Sequence, residues 1–229
     1  MDAAEKRRVR ERYRKVRLVL EASTPQATVA VLNRGLVLSS RYAAMRPGAD
    51  ETLMPAVYAV LRDAGIRPAD LEAVACGAGP GGFTSLRIAA AIAKGIAHAT
   101  GCALEAYPSL APHAVTSGEG TWMVTRDALR GERYVARVAL EGVLVTGYEY
   151  VGVLAPDAVA RAAAGTAGVV NADATATVAG WVAACMPLFT DVDLDAWEPL
   201  YGRLAEAQAR WEVAHGRPLA TEVAPDALA

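Results

Sequence analysis

The order in which strand and helix patterns follow one another constrains the fold of this chain more than any single motif does. Three short runs rich in Val, Leu and Ala come first, and a helical pattern, a strand and a second helical pattern follow them. The same β-β-β-α-β-α order begins again near residue 120. A unit of about 100 residues is too long for a solenoid repeat. The pattern therefore predicts an α/β fold of two similar subdomains, residues 17–115 and 116–229.

Composition narrows the class of protein further. Of the 229 residues 53% are hydrophobic, which is enough for a real core, and the formal net charge of -2 gives no general attraction to nucleic acid. The three cysteines are widely spaced and indicate neither a disulfide framework nor a zinc site. Because the chain has no long uncharged apolar run and no secretory h-region, we expect a cytoplasmic protein that is not inserted in a membrane.

The two ends of the chain carry patterns of their own. Residues 1–16 are strongly basic, which is typical of a solvated, flexible extension, and the alternative is an arm that grips a nucleic-acid backbone. The C-terminal segment predicts an amphipathic helix whose apolar stripe contains Leu204, Ala207 and Trp211.

A glycine-rich segment, "GAGPGGFTSLR" from Gly77 to Arg87, fits two nucleotide-binding templates by spacing. The triphosphate template fails because Phe83 stands where a lysine would neutralise the phosphates. The dinucleotide template is disfavoured by Pro80 and by the three strands that precede the segment. We interpret the segment as a tight strand-to-helix turn, with an anion contact as the alternative role; its residues are Gly79, Pro80, Gly81, Gly82, Phe83 and Thr84. An actin-like phosphotransferase or a dinucleotide-binding oxidoreductase using this turn stays open as the alternative function.

The first hairpin, "LVLEASTPQATVAVL", is similar to the phosphate hairpin of actin-like and sugar-kinase ATPases. In those enzymes an acidic residue ends the first strand, and a glycine in the turn lets the backbone approach the phosphates. Here Glu21 is the acid, while Ser23, followed by Thr24, stands where the glycine would be. The sequence therefore predicts a degenerate phosphate hairpin.

The helical pattern after the glycine-rich turn predicts a surface for a partner. Ile88, Ile92 and Ile96 form a bulky stripe beside a stripe of alanines, and Arg87 and Lys94 are among its few polar residues. A helix this apolar needs cover on more than one side. We expect its uncovered face to be joined by residues of the preceding helix, namely Met54, Tyr58 and Leu61. Burial of the whole helix inside the fold is the alternative, and self-association through the same face predicts a homodimer of the isolated chain.

Catalytic machinery is not indicated by the sequence. Its three histidines form no metal-binding pattern, and Ser85 lies outside a nucleophile motif. The charged residues Asp127, Arg130 and Glu132 are interpreted as a turn stabilised by polar contacts, in preference to a catalytic pair.

Four blocks together resemble the TsaB (YeaZ) family over essentially the whole chain from Val16 onward. They are Glu21-Ala-Ser-Thr, Gly79-Pro-Gly-Gly-Phe-Thr-Ser-Leu-Arg87, Asp127-Ala-Leu-Arg-Gly-Glu-Arg-Tyr-Val135 and Glu198-Pro-Leu-Tyr201. The resemblance implies an actin-like fold of the sugar kinase, heat-shock protein and actin superfamily. It also implies a subunit with no catalytic residues, no metal and no cofactor of its own.

Such a subunit would activate a TsaD-like catalytic paralogue, together with a TsaE-like ATPase, in the threonylcarbamoylation of adenosine 37 of tRNAs that read ANN codons. The resemblance leaves open whether an adenine nucleotide lies at the subunit interface and whether tRNA is contacted only through the complex.

Overall fold

The computed structural model describes residues 15–45, 52–173, 177–202 and 214–216, and it arranges them around two β-sheets. Residues 1–14 of the predicted basic extension lie outside the described residues. The apolar stripe predicted for the C-terminal helix lies outside them as well. Lys15 and Val16, the last residues of the predicted extension, are described, and Val16 already begins the first strand.

The N-terminal half follows the predicted order of three strands, a helix, a strand, a helix and a further strand. Its elements are β1 (Val16–Glu21), β2 (Gln26–Asn33), β3 (Leu36–Ala44), α1 (Leu53–Ala64), β4 (Ala73–Gly77), α2 (Phe83–Thr100) and β5 (Ala103–Tyr107), with 3-10 turns at Pro68–Asp70 and Ala111–Ser117. The first three strands form an antiparallel meander, and β4 pairs parallel with both β1 and β5.

The C-terminal half repeats this topology. Its elements are β6 (Gly120–Asp127), β7 (Arg133–Glu141), β8 (Leu144–Leu154), α3 (Pro156–Ala162), β9 (Val169–Asn171), α4 (Ala179–Ala184), a 3-10 turn at Met186–Leu188 and β10 (Thr190–Asp191). The strand order β8-β7-β6-β9 repeats the order β3-β2-β1-β4 of the first sheet, and β9 is parallel to β6 just as β4 is to β1. The predicted α/β fold of two similar β-β-β-α-β-α halves is thereby confirmed.

The segment after α4 returns to the N-terminal half. β10 pairs antiparallel with β5, so the first sheet has the order β10-β5-β4-β1-β2-β3. Trp197 packs into the core beneath α1 and α2, and the Leu200 N–H donates to the Ala78 carbonyl at 2.7 Å. Residues 190–202 were predicted to belong to the C-terminal subdomain. In the structure they pack on the N-terminal subdomain, where they cover the edge of β5 and the start of α2.

Helix ends follow the local chemistry of the sequence. Thr52 is the N-cap of α1, so Pro55 falls in the first helical turn, where its missing N–H costs nothing. Gly65, with φ 67°, and Gly101, with φ 73°, end α1 and α2 in the left-handed conformation that glycine tolerates. α4 has only six residues, and residues 174–176 shortly before it are not described.

The first sheet is covered on both faces. Side chains alternate along β1, so that Leu18 and Leu20 pack under α1 and α2, whereas Val19 faces the opposite way. On that opposite side Val19 shares one core cluster with Val124 of β6 and Val138 of β7. A single hydrophobic core therefore joins the two sheets.

Candidate functional site

The predicted phosphate hairpin has its polar side chains turned toward its own backbone. Glu21 is fully buried, and its Oε1 accepts a hydrogen bond from the Ser23 N–H at 2.8 Å. The Thr24 hydroxyl donates to the Gln26 carbonyl at 2.6 Å. Glu21 Oε2 has no hydrogen-bond partner among the described residues, and it lies so close to Gly77 that a Cβ there would come within 2.2 Å of it.

The glycine-rich turn is packed tightly against the rest of the chain. A Cβ on Gly79 would lie 2.2 Å from the Leu200 carbonyl oxygen, and a Cβ on Gly81 would lie 2.6 Å from Ser23. Gly79 also has a φ of 87°, a conformation that side-chain-bearing residues rarely adopt. Close packing of Leu200 and Ser23 therefore accounts for glycine at positions 79 and 81, and no ligand is needed to explain these residues.

Several backbone donors in and beside this turn are already used. The Ala78 N–H donates to the Tyr107 carbonyl at 2.7 Å, and the Gly82 N–H donates to the Ser23 carbonyl at 3.3 Å. The Gly79 N–H donates to the Ser109 hydroxyl at 3.0 Å, and Pro80 has no N–H. A phosphate cradle needs several free N–H groups that converge on one point. The anion contact considered for this turn stays a prediction that these hydrogen bonds do not favour.

Arg126 closes the space between the two halves. It extends from β6 of the second sheet and is almost fully buried, and its Nη1 donates to the Ser23 hydroxyl at 2.5 Å. Its Nη2 lies 2.5 Å from His113 Nε2, and the Thr177 hydroxyl lies 3.2 Å from the same ring nitrogen. The hairpin turn of one half is thus bound directly by a cation of the other half.

The protonation state of His113 fits this arrangement. Burial, with the neighbouring Arg126 charge as the second cause, lowers the pKa of His113 to about 3. The imidazole is therefore neutral near pH 7, and Nε2 has a lone pair that accepts the guanidinium N–H. Neither Arg126 nor His113 was predicted as a site residue. The sequence offers no local signal for them, because Arg126 and its partner Ser23 lie 103 positions apart.

A second cation is buried beneath the first sheet. Arg17 is fully buried and forms a bidentate ion pair with Glu105 of β5, with Nε–Oε2 at 2.5 Å and Nη2–Oε1 at 3.0 Å. Lys15 Nζ reaches the same carboxylate at 3.2 Å. Because Arg17 and Glu105 come from β1 and β5, this pair bridges β4, which lies between them in the sheet.

The residues predicted for a partner surface fall on both sides of α1 and α2. Ala89, Ala93 and Ala97 are buried against the sheet, and of the three isoleucines of the stripe Ile88 is exposed, whereas Ile92 and Ile96 are half-buried and pack against the same core. Tyr58 is 66% exposed and Ile88 36% exposed, whereas Leu61 is only 5% exposed and belongs to the core. Leu61 therefore cannot contribute to an outer surface. We define the helix surface as the remaining apolar residues, of which Met54, Ile92 and Ile96 are half-buried; it comprises Met54, Tyr58, Ile88, Ile92 and Ile96.

The polar residues of α2 contact the returning C-terminal segment. Lys94 Nζ lies 3.4 Å from the Asp195 carbonyl oxygen and 3.7 Å from Glu198 Oε1. The Phe83 ring packs on Tyr201 with centroids 4.5 Å apart, and the Arg87 guanidinium lies over Phe83 at 5.3 Å. Phe83, which occupies the lysine position of the triphosphate template, thus serves as an aromatic anchor at the start of α2.

Two classes of feature are not found in the described parts of the chain. No three side chains of the metal-binding residue types lie together there. No helix in those parts has both the length and the apolar character needed to cross a bilayer.

Comparisons with known proteins agree with the topology. The family model for TsaD, described as tRNA N6-adenosine threonylcarbamoyltransferase, matches residues 48–174, which is more than half of the chain. A protein of Mycobacterium tuberculosis, described as uncharacterised, is 37% identical over 134 residues, which are 57% of this chain and 62% of that protein. The tRNA threonylcarbamoyladenosine biosynthesis protein TsaB of Bacillus subtilis is 27% identical over 119 residues, which are 51% of this chain and 52% of that protein. The chain therefore spans less than two thirds of the length of these relatives.

The solved structure of YeaZ from Pseudomonas aeruginosa has a TM-score of 0.64 and 23% sequence identity, and covers 82% of this chain and 99% of that one. This likeness, together with the repeated strand order, shows that the fold is actin-like. The chain belongs to the family that the TsaD model describes, and TsaB (YeaZ) proteins are among its relatives.

Proposed function

We propose that this protein is a non-catalytic subunit that binds and activates a TsaD-type catalytic subunit in the threonylcarbamoylation of tRNA adenosine 37. The names of its relatives support the pathway, since the Bacillus subtilis relative is described as a tRNA threonylcarbamoyladenosine biosynthesis protein. The substrate of the complex would be tRNAs that read ANN codons. We place the subunit in the cytoplasm, where tRNA is modified.

The observation that carries the non-catalytic part of the proposal is the closed cleft. Actin-like ATPases hold their nucleotide between the two halves of the fold, with the first hairpin and a glycine turn at the phosphates. Here Arg126 binds Ser23 of that hairpin, and Ser23 and Leu200 fill the space beside Gly81 and Gly79. These contacts occupy the space beside the hairpin and the glycine turn, which supports a subunit without a cofactor of its own.

The helix surface supports the partner part of the proposal. Tyr58 and Ile88 expose apolar area on neighbouring helices, with the half-buried Ile92 beside them. Two such helices can pack against two helices of a related subunit through ridges and grooves. The catalytic subunit would dock there, an adenine nucleotide could lie at the resulting interface, and a TsaE-type ATPase and tRNA would join the assembled complex.

The test is reconstitution with purified components. The Ile92→Glu variant, mixed with the TsaD-type and TsaE-type proteins of the same organism and with tRNA, should fail to bind the catalytic subunit, because a carboxylate would be buried without a partner. Modification of tRNA should fall at least tenfold. Val143→Glu is the matched control, since Val143 is 72% exposed on the turn between β7 and β8.

Two results would count against the proposal. Normal binding by the Ile92→Glu variant would place the interface elsewhere. Micromolar ATP binding with turnover by the isolated chain in calorimetric and phosphate-release assays would favour the phosphotransferase alternative instead.

A further inference from the structure

The turn between β6 and β7, residues 128–132, has an unusual backbone. Leu129 has a φ of 64°, Arg130 a φ of 56° and Gly131 a φ of 77°. Three consecutive residues in the left-handed region form a short left-handed turn, which is unfavourable for L-amino acids other than glycine. Leu129, with its branched side chain, is a poor choice for this conformation.

Closing a hairpin does not require this conformation. The turn between β2 and β3 also has positive φ values, at Arg34 (53°) and Gly35 (76°). Two such residues match the type I′ turn, whose twist suits the flanking strands. The β6–β7 turn has a third left-handed residue and has two non-glycine residues among the three, so hairpin geometry alone does not account for it.

The rest of the structure holds the turn in place. The Leu129 N–H donates to Asp127 Oδ1 at 2.8 Å, and the Ala128 N–H donates to the Glu132 carbonyl at 2.9 Å. Asp173 accepts a hydrogen bond from the Asp127 N–H and pairs with Arg133 at 2.6 Å. Of the polar residues predicted to stabilise this turn, Asp127 contributes its side chain, and Asp173 adds a contact that was not predicted.

What the strained turn displays is one apolar and one cationic side chain. Leu129 is 69% exposed. Arg130 is also exposed, and the contacts among the described residues leave its guanidinium unpaired. Arg133, in contrast, is used internally by Asp173, Thr125 and Asn171.

The charge around the turn favours a protein partner over RNA. Three carboxylates (Asp127, Glu132 and Asp173) stand against two guanidinium groups (Arg130 and Arg133), which leaves a net charge of -1. A phosphate backbone is bound by surfaces with a positive balance. An exposed leucine beside a free arginine instead fits a protein surface with a carboxylate next to an apolar pocket.

Contacts link the strand that follows the turn to the N-terminus of α2, where Arg87 precedes Ile88 of the helix surface. Tyr134, at the start of β7, donates its hydroxyl to the Tyr201 carbonyl at 3.2 Å. The Tyr201 ring packs on Phe83 at the start of α2, and Arg87 of the same helix lies over Phe83. A subunit that covers α2 and extends past its N-terminus would therefore meet this turn.

We propose that Leu129 and Arg130 form a second contact point for the subunit that docks on the helix surface, with Arg130 pairing with a carboxylate of that subunit. This inference rests on the proposed function, because it takes the helix surface as the main interface. The strained turn positions both side chains before binding, so little ordering is needed when the subunits meet.

The experiment measures the affinity of the purified TsaD-type subunit for four variants of the full chain by biolayer interferometry. Arg130→Glu should bind at least tenfold more weakly, because it places like charges together. Leu129→Gly should also bind more weakly, although it should raise the Tm by about 2 °C through relief of backbone strain. Arg34→Glu is the matched control, an exposed arginine at positive φ in the other half, and should bind like the wild type.

The fourth variant, Ile92→Glu, separates the two proposals. Loss of binding by Ile92→Glu with normal binding by both turn variants would overturn the second contact point and leave the main interface intact. Normal binding by Ile92→Glu would remove the main interface as well. If Arg34→Glu bound as weakly as Arg130→Glu, the loss of affinity would be a general effect of surface charge. That result would also overturn the inference.

Discussion

Arg126 shows how one side chain decides the state of the cleft. Burying a guanidinium is costly unless it finds hydrogen-bond acceptors, and here the Ser23 hydroxyl and the neutral His113 ring accept from Nη1 and Nη2, while Nε has no partner among the described residues. Glu21, also buried, adds a nearby negative charge that favours the charged form of Arg126 and so opposes the lowering of its pKa by burial. These partners all belong to the N-terminal half and Arg126 to the C-terminal half, so the residue acts as a link between the two halves.

Removing this link should cost stability. Arg126→Met keeps the volume but leaves the Ser23 hydroxyl and His113 Nε2 without their donor, and we expect a loss of about 2–4 kcal/mol in the free energy of unfolding. Urea denaturation followed by circular dichroism would measure it. Arg137→Met is the control on the neighbouring strand, because its ion pair with Glu149 is exposed and should be worth less than about 1 kcal/mol. Equal losses for the two variants would contradict the assigned role of Arg126.

Part of this site could be predicted from residue types alone. Glu21, Ser23 and the glycines were identified because strand ends, turn residues and helix starts have recognisable compositions. Arg126 was missed because its importance depends on which strand of the second sheet faces the first hairpin. Contacts between residues 103 positions apart, such as Arg126 with Ser23, leave no local trace in a sequence.

At the scale of elements, α2 divides its two apolar stripes between two tasks. The alanines allow the helix to lie close to the sheet, whereas Ile88 extends outward and the half-buried Ile92 and Ile96 lie at the edge of the same core. When both stripes of a helix are apolar, hydrophobic periodicity does not predict which stripe packs on the sheet. The size of the residues decides it, because close approach of helix and sheet requires small side chains.

Ala93→Leu tests this division. Ala93 is fully buried, and three additional carbons would overpack the contact with the sheet, so we expect a loss of about 1–3 kcal/mol in the free energy of unfolding. Ala91→Leu on the exposed side of the same helix should change stability by less than about 0.5 kcal/mol. Denaturation midpoints of the two variants provide the comparison, and a tolerant Ala93 would mean that the helix lies farther from the sheet than described.

The other helices and strands differ in how well the sequence predicts them. The ends of α1 were predictable, because Thr52, Pro55 and Gly65 occupy positions that helices favour. β10 was not predictable, because two residues are too few to show an alternating pattern. It forms only because β5 would otherwise expose an unpaired edge.

At the scale of the whole molecule, the exposed apolar part of the helix surface should lead the isolated chain to self-associate. We expect a concentration-dependent homodimer in sedimentation velocity experiments, since two copies can cover the same patch by a two-fold axis. Ile92→Glu should be monomeric under the same conditions, and Val143→Glu should dimerise like the wild type. A strictly monomeric wild-type chain at high concentration would argue against this surface.

The repeat of topology was predictable at this scale, whereas the relation between the two halves was not. The order of patterns indicates two similar units, because each unit has its own meander, helices and crossover. The return of residues 190–202 to the first sheet and the position of Arg126 depend on how the units pack together. That packing depends on contacts between residues that are distant in the sequence, and hydrophobic periodicity contains no information about such contacts.

The core cluster shared by Val19, Val124 and Val138 has a consequence for motion. Hinge motion between two halves of a fold requires a boundary with little packing between them. Here the boundary is filled with apolar side chains, so opening it would expose much of the core to water. The two halves should therefore unfold as one cooperative unit, and the protein should behave as a single rigid body.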